Sequence, residues 1–388
     1  MPDDDVIDER GAAAFSAAAS GMAGRCAFVG QRRPQAHTSS APRVAASALW
    51  LVALVFSATG PTAQSPPAGR LLCQGTVGAV TWQTLAPEDQ RATLDRWCSS
   101  VGPPVIRHAR SASAPIEALV VASWNVHVGG GDVDQLLAWI HEQPALAGRA
   151  YGVVLLLQEA SRTGPDVPAP PEDLRMPRGI RRRAPAQDIV ELAETLDLHA
   201  AYVPSMRDGS GTAADARDRG NAILSTEPLS DVLAIELPLG RQRRVAVAGT
   251  ITPAGVSPLR VMTLHLDTRG RRVAQARALR TYLAAAEADG VPTIAGGDLN
   301  AVLGRRDQAY TIIDAVMPEA RCGDNRTNTW PRWLDLTLGW WRGRVDFIFD
   351  NLSDTGLVHT CETVPQFLGS DHLPVVMIIQ PLQSRARG

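Results

Sequence analysis

The feature that most constrains the fold is a regular alternation of short apolar runs and amphipathic stretches from residue 118 onward. The apolar runs are typical of β-strands and cover 118–124, 152–158, 221–225, 244–251, 260–265, 292–298, 344–349 and 374–379. Between them, apolar residues at helical spacing predict helices near 133–140, 189–196 and 272–286, with Asp132 as a candidate N-cap of the first. Strands mixed with helices in this way indicate the α/β class.

Composition excludes a disordered chain and a chain coated with basic charge. Of the 388 residues, 45% are apolar and 20% are charged, which is enough apolar material for a packed core. The net charge is −2, and every basic residue is an arginine. A nearly neutral balance argues against a strongly basic nucleic-acid-binding surface. Arginine clusters at 181–183, 241–244 and 269–272 could still form local phosphate-binding patches, or they could simply be solvated.

The N-terminal region resembles a secretory leader. The apolar run 44–58 is shorter than the ~20 residues that a membrane-spanning helix needs. Four arginines precede it without an intervening acid: Arg25, Arg32, Arg33 and Arg43. Small residues and prolines follow the run, so the pattern predicts a signal peptide within a leader over 1–64, and a secreted or cell-envelope protein. Acidic residues near the N-terminus fit this poorly unless translation starts at Met22, and an uncleaved membrane anchor is the alternative.

The cysteines agree with export. Four of them follow the leader: Cys73, Cys98, Cys322 and Cys361. They allow two disulfides in three connectivities, and pairing between sequence neighbours is the simplest; four free buried thiols are the alternative. The sequence contains no CxxC pair and no Cys/His cluster that would indicate a zinc site. The segment 65–116 is predicted to be a short extension, with a helix over 87–97 and a Pro/Ser-rich linker, ahead of a main domain over 117–382.

Ionisable and amide side chains stand where the apolar strands end. They are Asn125 and His127, Glu159, His265 and Asp267, Asp298 and Asn300, and Asp371 and His372, while Asp346 lies inside a strand. Burying one such group costs several kcal/mol unless it is paired. Any single one could be a turn acid or a hydrogen-bond partner in the core. Together, they are expected to converge at one end of the sheets and to satisfy one another.

The chemistry of this set favours metal-assisted hydrolysis of a phosphoester. It contains acids, amides and histidines, without a G-x-S-x-G nucleophile turn. Hard oxygen ligands select Mg²⁺, Mn²⁺ or Ca²⁺ over zinc. Histidines beside such a metal serve acid–base chemistry or bind a phosphoryl oxygen. The glycines at 129–131 follow a strand but lack the rest of a dinucleotide-binding fingerprint.

Seven short segments, in order along the chain, give a specific resemblance. They are SWNVH (123–127), LLLQEA (155–160), RGNAILS (219–225), TLHLDT (263–268), GGDLNA (296–301), GRVDFIF (343–349) and GSDHLPV (369–375). They resemble the endonuclease/exonuclease/phosphatase superfamily, which includes DNase I, AP endonucleases, sphingomyelinases and inositol polyphosphate phosphatases. The resemblance covers about 117–380. It implies a four-layer α/β sandwich, with two mixed β-sheets face to face and helices on the outside.

The resemblance also implies roles for individual residues. Three would bind Mg²⁺, with Mn²⁺ or Ca²⁺ as alternatives: Glu159 as the main ligand, Asn125 and Asp371. Five would serve catalysis: Asp298, His372, His265, Asp346 and Asn300. Asp298 is expected to orient or deprotonate the attacking water, and Asn300 to hold the phosphate. His372 would contact the scissile phosphate while Asp346 fixes its tautomer, and His265 resembles a second histidine of DNase I-like and sphingomyelinase-like members.

Two departures and one unusual segment bear on the substrate. His127 and His265 stand where AP endonucleases lack histidine, which argues against abasic-site repair; His127 itself is either structural or directly catalytic. Residues 330–341 contain Trp330, Trp333, Trp340 and Trp341, which could form a buried hairpin, a base-stacking platform or a membrane-touching loop.

The resulting prediction is an exported Mg²⁺-dependent phosphodiesterase, foremost a nuclease. A sphingomyelinase-like or other phospholipid or small-phosphoester hydrolase is the alternative, and it would be favoured by a membrane-touching tryptophan loop. A catalytically silent secreted binding module is the alternative from another class, and it predicts a depleted set of acids and histidines, whereas the set is complete. No sequence feature indicates an obligate protein partner.

Overall fold

The computed structural model describes residues 73–168, 186–208, 217–253, 257–268, 270–323 and 344–381. These residues form two seven-stranded sheets and five α-helices. The apolar run 44–58, the arginines 181–183 and the tryptophan segment 330–341 lie outside the described residues. Among the residues that are described, no helix has both the length and the hydropathy needed to cross a bilayer.

The first sheet carries three of the predicted catalytic residues. With strands numbered along the chain, its order is β1 (Thr76–Val77), β2 (Val80–Thr84), β8 (Ser230–Glu236), β9 (Val245–Ile251), β10 (Leu259–His265), β11 (Thr293–Asp298) and β12 (Asp346–Asp350). β2 runs parallel to β8 and β10 runs parallel to β11, whereas the other neighbours are antiparallel. The sheet is therefore mixed, as predicted.

The second sheet carries Asn125 and Glu159. Its order is β13 (Leu357–Thr363), β14 (Val375–Pro381), β4 (Ala118–Asn125), β5 (Tyr151–Thr163), β7 (Arg217–Ser225), β6 (His199–Asp208) and β3 (Val105–Arg107). β4 and β5 are parallel, and the remaining pairs are antiparallel. This sheet is also mixed.

Alternation along the strands explains the layers. Side chains on one face of each sheet, such as Val121 and Ile223 of the second and Val261 and Ile294 of the first, meet in a central core. The other face of the second sheet packs against α2 (Val133–His141) and α3 (Ile189–Thr195). The other face of the first sheet packs against α4 (Arg272–Ala288) and α5 (Gln308–Asp314). The predicted four-layer α/β sandwich is confirmed.

The helices begin where the sequence indicates. The Asp132 carboxylate accepts a hydrogen bond of 3.0 Å from the backbone N–H of Gln135, which caps α2. Asp188 caps α3 in the same way. The remaining helix, α1 (Arg91–Ser99), follows a short 3₁₀ turn and accounts for the helix predicted over 87–97.

The segment before residue 116 contributes strands to both sheets, whereas the sequence predicted a short extension that ends in a linker. β1 and β2 extend the first sheet, and β3 forms the edge of the second because Val105 and Ile106 pair with β6. Farther along, the buried Asp218 carboxylate accepts a hydrogen bond of 2.6 Å from the backbone N–H of Gly102 and contacts the Arg207 guanidinium at 3.1 Å. These contacts fix the segment to the sandwich.

Two disulfides join neighbours in sequence, in the pairing that the cysteine spacing favours. Cys73 bonds Cys98, which links the chain before β1 to the end of α1. Cys322 bonds Cys361, which links the loop after α5 to β13. The first of these bridges closes the N-terminal segment onto itself next to the first sheet.

Candidate active site

Strand register brings the predicted site residues to one edge of the sandwich. His265 lies opposite Asp298 across the parallel β10 and β11, and Asp298 lies opposite Asp346 across the antiparallel β11 and β12. In the second sheet, Asn125 lies opposite Gln158, so Glu159 follows at the next position of β5. The ends of β4, β10 and β11, the part of β5 that carries Glu159, and the start of β12 thus lie at the same edge.

The Asp298 carboxylate is the centre of the site. Its Oδ2 accepts a hydrogen bond of 3.1 Å from Asn125 Nδ2, and it lies 3.5 Å from His265 Nε2 and 3.9 Å from His372 Nε2. Its Oδ1 accepts the backbone N–H of Asn300 at 2.7 Å. Burial, reinforced by the charge of Asp346, raises the pKa of Asp298 well above its ordinary value. A carboxylate in this setting is suited to accepting a proton near neutral pH.

His372 and Asp346 form a buried pair. His372 Nδ1 lies 2.8 Å from Asp346 Oδ2, and Asp346 has no exposed surface. Burial opposes a charge on His372, but Asp346, and then Asp298 and Asp371, outweigh it and raise the pKa of His372 above its ordinary value. Nδ1–H therefore donates to Asp346, and Nε2 faces the centre of the site.

His265 takes the opposite protonation state. Arg244 Nη1 lies 3.1 Å from His265 Nδ1, and because a guanidinium can only donate, Nδ1 must accept. The ring proton is therefore on Nε2, which points toward Asp298. Burial, followed by the charges of Arg244 and Arg219, lowers the pKa of His265 well below its ordinary value. His265 is thus a neutral hydrogen-bond donor.

The backbone around His372 is held by side chains that the sequence interpretation missed. Ser370 Oγ donates to the backbone carbonyl of Asn125 at 2.6 Å and accepts the backbone N–H of His372 at 3.0 Å. The indole Nε1 of buried Trp124 donates to the His372 carbonyl at 3.0 Å. A Cβ at Gly131 would lie 2.6 Å from the Trp124 ring, so only glycine fits there. The loop carrying His372 is therefore locked to the end of β4.

Asn300 lies on a tight turn after β11. Its φ is +48°, in the left-handed region that asparagine tolerates. Its side-chain Nδ2 donates to the Leu266 carbonyl at 2.9 Å, and its own carbonyl accepts Arg272 Nη1 at 2.8 Å. Arg272 also contacts Asp307 at 2.8 Å, so it fastens this turn to the start of α5. Asn300 is placed beside Asp298 by a rigid turn.

Glu159 lies on a β-bulge. The register of β5 against β7 shifts between Leu157 and Ala160, and Glu159 has a φ of +56°. Such bulges re-aim a side chain next to active sites. Its Oε1 lies 3.3 Å from Arg219 Nη1. A carboxylate has about four lone-pair sites, so this single contact leaves room for a metal ion.

Arg219 and Arg244 place two buried guanidinium groups in the site. Both are 3% exposed, and burial together with the charge of Arg219 lowers the pKa of Arg244 to about 10. Arg244 still carries its charge at neutral pH. The sequence marked Arg244 only as part of a surface cluster; its neighbour Arg243 is instead buried in an ion pair with Glu236 at 2.6 Å. The three arginines of the predicted cluster 241–244 therefore lie in different places. Arg243 is in the core, Arg244 is in the site and Arg241 is at the surface.

His127 contacts one of the predicted metal ligands. Its Nδ1 lies 2.9 Å from Asp371 Oδ1, and its φ of +47° turns the chain back after β4. Burial would raise the pKa of Asp371, but the hydrogen bond with His127 and the charge of His372 lower it overall. His127 therefore belongs to the site edge, where it holds Asp371 in its charged form.

The donor atoms fit a hard divalent cation in their chemistry. Asp298, Asp346 and His372 offer ligand atoms within 4.8 Å of one another, but the short His372–Asp346 hydrogen bond already accounts for two of them. Glu159, Asn125 and Asp371 offer carboxylate and amide oxygens at the neighbouring strand ends, the donors that Mg²⁺ prefers. The donor chemistry of this set therefore suits a hard divalent cation, and the binding of Mg²⁺ by these residues stays a prediction.

The structure brings most of the predicted residues into one contact network, and one lies beside it. The network joins Asn125, His265, Asp298, Asn300, Asp346, Asp371 and His372. Glu159 occupies the adjacent bulge, where its described partner is Arg219. The residues that sequence reasoning missed are Trp124, Ser370, Arg219 and Arg244. Three of these lie inside the quoted segments, so their position was marked, although their contacts were not.

The fold and the site define an α/β sandwich whose strand ends carry a carboxylate-centred acid–base network. The chain belongs to the endonuclease/exonuclease/phosphatase family, because the sequence model of the family described as "Endonuclease/Exonuclease/phosphatase family" matches residues 122–372. Members of this family are hydrolases that act on phosphoesters. No curated protein sequence matches the chain.

Solved structures of similar proteins include three that cover about two thirds of this chain. An endonuclease/exonuclease/phosphatase from Beutenbergia cavernae is 20% identical over 68% of this chain and 72% of its own, with a TM-score of 0.48. A family protein from Leptotrichia buccalis is 14% identical over 67% and 98%, with a TM-score of 0.46. Truncated Caenorhabditis elegans TDP2 is 18% identical over 68% and 97%, with a TM-score of 0.41. The family assignment itself rests on the sequence match.

Proposed function

We propose that this protein hydrolyses phosphodiesters with the help of a divalent metal ion, Mg²⁺ foremost. The observation that carries the proposal is the convergence of Asn125, His265 and His372 on one oxygen of the buried Asp298. Family membership supplies the reaction class, and the acid–base network supplies groups for water attack on phosphorus.

The chain's own residues divide the work. Asp298, whose pKa burial raises, acts as the carboxylate and accepts a proton from the attacking water as the new P–O bond forms. His372, protonated and held by Asp346, donates its Nε2 proton to the leaving oxygen as the bond between that oxygen and phosphorus breaks. His265, as a neutral imidazole, donates a hydrogen bond from Nε2 toward Asp298. Asn300 holds a phosphate oxygen. The roles of Asp298, His372 and His265 follow from the protonation states that their surroundings favour, whereas the role of Asn300 follows from the family resemblance.

Electrostatics support an anionic substrate in this site. Arg219 and His372 are buried cations already paired with Glu159 and Asp346, so the buried Arg244 is the charge that a phosphoryl group would most directly offset. Glu159, Asn125 and Asp371 would hold the metal ion. When bound, the ion would supply a Lewis acid that offsets charge developing on the phosphoryl oxygens.

The test is hydrolysis of bis-p-nitrophenyl phosphate by the purified protein in Mg²⁺. Wild type should release nitrophenol, and Asp298→Asn should lose at least ~10²-fold in kcat, the usual contribution of general acid–base help. Asp134→Asn, an exposed acid at the start of α2, is the matched control and should keep full activity. Equal rates for the wild type and Asp298→Asn would rule out the proposed role. Plasmid DNA, RNA and sphingomyelin in the same assay would distinguish a nuclease from a lipid phosphodiesterase.

We also propose export, supported by the leader pattern and by the two disulfides, which persist in oxidising compartments. Protein recovered from its native compartment should have lost about the first 60 residues, as expected for signal-peptide cleavage. Its intact mass should rise by about four hydrogens after reduction, since two bridges open. An unprocessed N-terminus, or a mass that reduction leaves unchanged, would contradict export.

A further inference from the structure

We propose that three exposed arginines beside the site, Arg241, Arg271 and Arg306, bind the phosphates that flank the scissile group of a polynucleotide. This deepens the proposed function, on which it rests, by naming a polymeric substrate. The three residues are called the rim arginines. All are exposed, and they lie on three different turns at the edge where β10 and β11 end.

The first two turns touch each other. The β8–β9 turn carries Arg241, whose backbone N–H donates to the buried Asp267 carboxylate at 2.5 Å, two residues beyond His265. A Cβ built at Gly240 would collide with that carboxylate and would lie 3.1 Å from the Cβ of Arg271. Arg241 and Arg271 are therefore close neighbours, next to the end of the strand that carries His265.

The third turn is joined to the second through a buried contact. Arg272, the residue after Arg271, contacts both the Asn300 carbonyl and the Asp307 carboxylate at 2.8 Å. Arg306 directly precedes Asp307. The rim arginines thus extend from the His265 strand, past Asn300, to the turn before α5.

The turns form a rigid platform. Gln275 Nε2 donates to the Pro238 carbonyl at 2.8 Å, and Gln275 Oε1 accepts the Asp267 N–H at 2.8 Å. On the other side, Gln90 Oε1 accepts the Leu239 N–H at 2.5 Å. Because the backbone is fixed, the guanidinium groups are presented to solvent in a defined order.

Charge pairing separates the rim arginines from their neighbours. Arg272 is paired with Asp307 at 2.8 Å, and Arg305 is paired with Glu319. Among the residues that the structure describes, no acid lies within ion-pair distance of the Arg241, Arg271 or Arg306 guanidinium. Three cations to which the described residues offer no acidic partner, at the edge of a phosphoester site, are suited to an anion that extends beyond the scissile group.

The partner that fits is a nucleic-acid backbone rather than a lipid surface. A nucleic-acid strand presents a phosphate at about every 3.4 Å of helix rise, so one strand can meet several arginines at once.

The test measures binding without cleavage. A fluorescently labelled DNA or RNA oligonucleotide is titrated with the full chain in EDTA, and anisotropy gives the Kd over a range of NaCl concentrations. R241Q/R271Q should weaken binding by about 10-fold at low salt and reduce the salt slope by about two, and R306Q should reduce it by about one, at ~0.9 per lost phosphate contact. R149Q/R280Q removes two exposed arginines far from the rim and should change neither quantity.

The outcomes separate this inference from the proposed function. Hydrolysis of bis-p-nitrophenyl phosphate, which has no flanking phosphates, should stay within about twofold of wild type in R241Q/R271Q. Unchanged oligonucleotide binding in R241Q/R271Q, or equal weakening in R149Q/R280Q, would overturn the rim assignment while leaving phosphodiester hydrolysis intact. Weakened binding to phosphatidylserine vesicles with unchanged oligonucleotide binding would overturn it in favour of a lipid surface. Failure to cleave bis-p-nitrophenyl phosphate at all would count against the proposed function instead.

Discussion

Replacing His372 with alanine is expected to lower kcat for phosphodiester hydrolysis by 10² to 10⁴-fold while the protein stays folded. That range corresponds to about 3 to 5 kcal/mol of transition-state stabilisation. The loss follows from the geometry, because Nε2 of His372 faces the site while its Nδ1 is held by Asp346 at 2.8 Å. The measurement is kcat on bis-p-nitrophenyl phosphate, with circular dichroism as the check on folding.

A second histidine on the same sheets provides a matched control. His359 lies 3.7 Å from Asp350, which is at the opposite end of the strand that begins with Asp346. His359→Ala also removes a histidine–aspartate contact, a longer and partly exposed one that lies away from the site. It should leave kcat within about twofold of wild type, so a loss specific to His372→Ala reports the chemistry rather than a general effect of removing such a contact.

The pair should behave as one unit. Asp346→Asn should also reduce kcat, because an amide can donate to Nδ1 and so favour the wrong tautomer of His372. Residues that act together are non-additive, so the double variant should be little slower than His372→Ala alone. Rate losses that multiply in the double variant would show that the two side chains act independently, and the pair would have to be abandoned.

The fold could be predicted because most strands and helices are visible as apolar patterns in the local sequence. Asp132 marks the start of one helix, and runs such as 118–124 face a core on one side and helices on the other. The edge strand β3 could not be recognised, since three residues among prolines and serines carry little periodicity. It forms because Val105 and Ile106 complete a sheet edge that only the folded β6 provides.

The site was predictable where a polar group interrupts an apolar pattern. Asp346 is conspicuous because it lies between Val345 and Phe347. A carboxylate among apolar neighbours needs a partner, and His372 was the partner expected. Trp124 and Ser370 gave no such signal, because a tryptophan in an apolar strand and a serine in a turn have ordinary structural roles. Their hydrogen bonds to the His372 backbone depend on loops that are distant in sequence and meet only after folding.

The arginines show why charge clusters are ambiguous in sequence. Arg241, Arg243 and Arg244 are near neighbours in the chain, yet one is exposed, one is buried against Glu236 and one contacts His265. The turn after Pro238 sends consecutive side chains in different directions. Closeness in sequence therefore did not show which of these arginines share a surface. Arg241 and Arg271, which are distant in sequence, lie together.

Removing divalent metal is expected to abolish hydrolysis, and Glu159→Gln is expected to lower kcat/KM by about 10³-fold at a fixed Mg²⁺ concentration. A bound divalent ion contributes several kcal/mol to the transition state of phosphoryl transfer, and each 1.36 kcal/mol is tenfold in rate. Glu159 projects from a bulge at the site edge, and Gln keeps its size while removing the charge. EDTA should inactivate the wild type, and excess Mg²⁺ or Mn²⁺ should restore it.

The control must separate the metal from the ion pair, because Glu159 also contacts Arg219 at 3.3 Å. Glu236→Gln disturbs a comparable buried pair, with Arg243, outside the site, and should leave the Mg²⁺ dependence of the rate unchanged. Titration calorimetry with Mn²⁺ then gives a readout besides activity: Glu159→Gln should bind the ion at least ~10-fold more weakly than Glu236→Gln. If Glu159→Gln instead retains wild-type affinity and rate while the wild type still requires metal, the ion is held elsewhere.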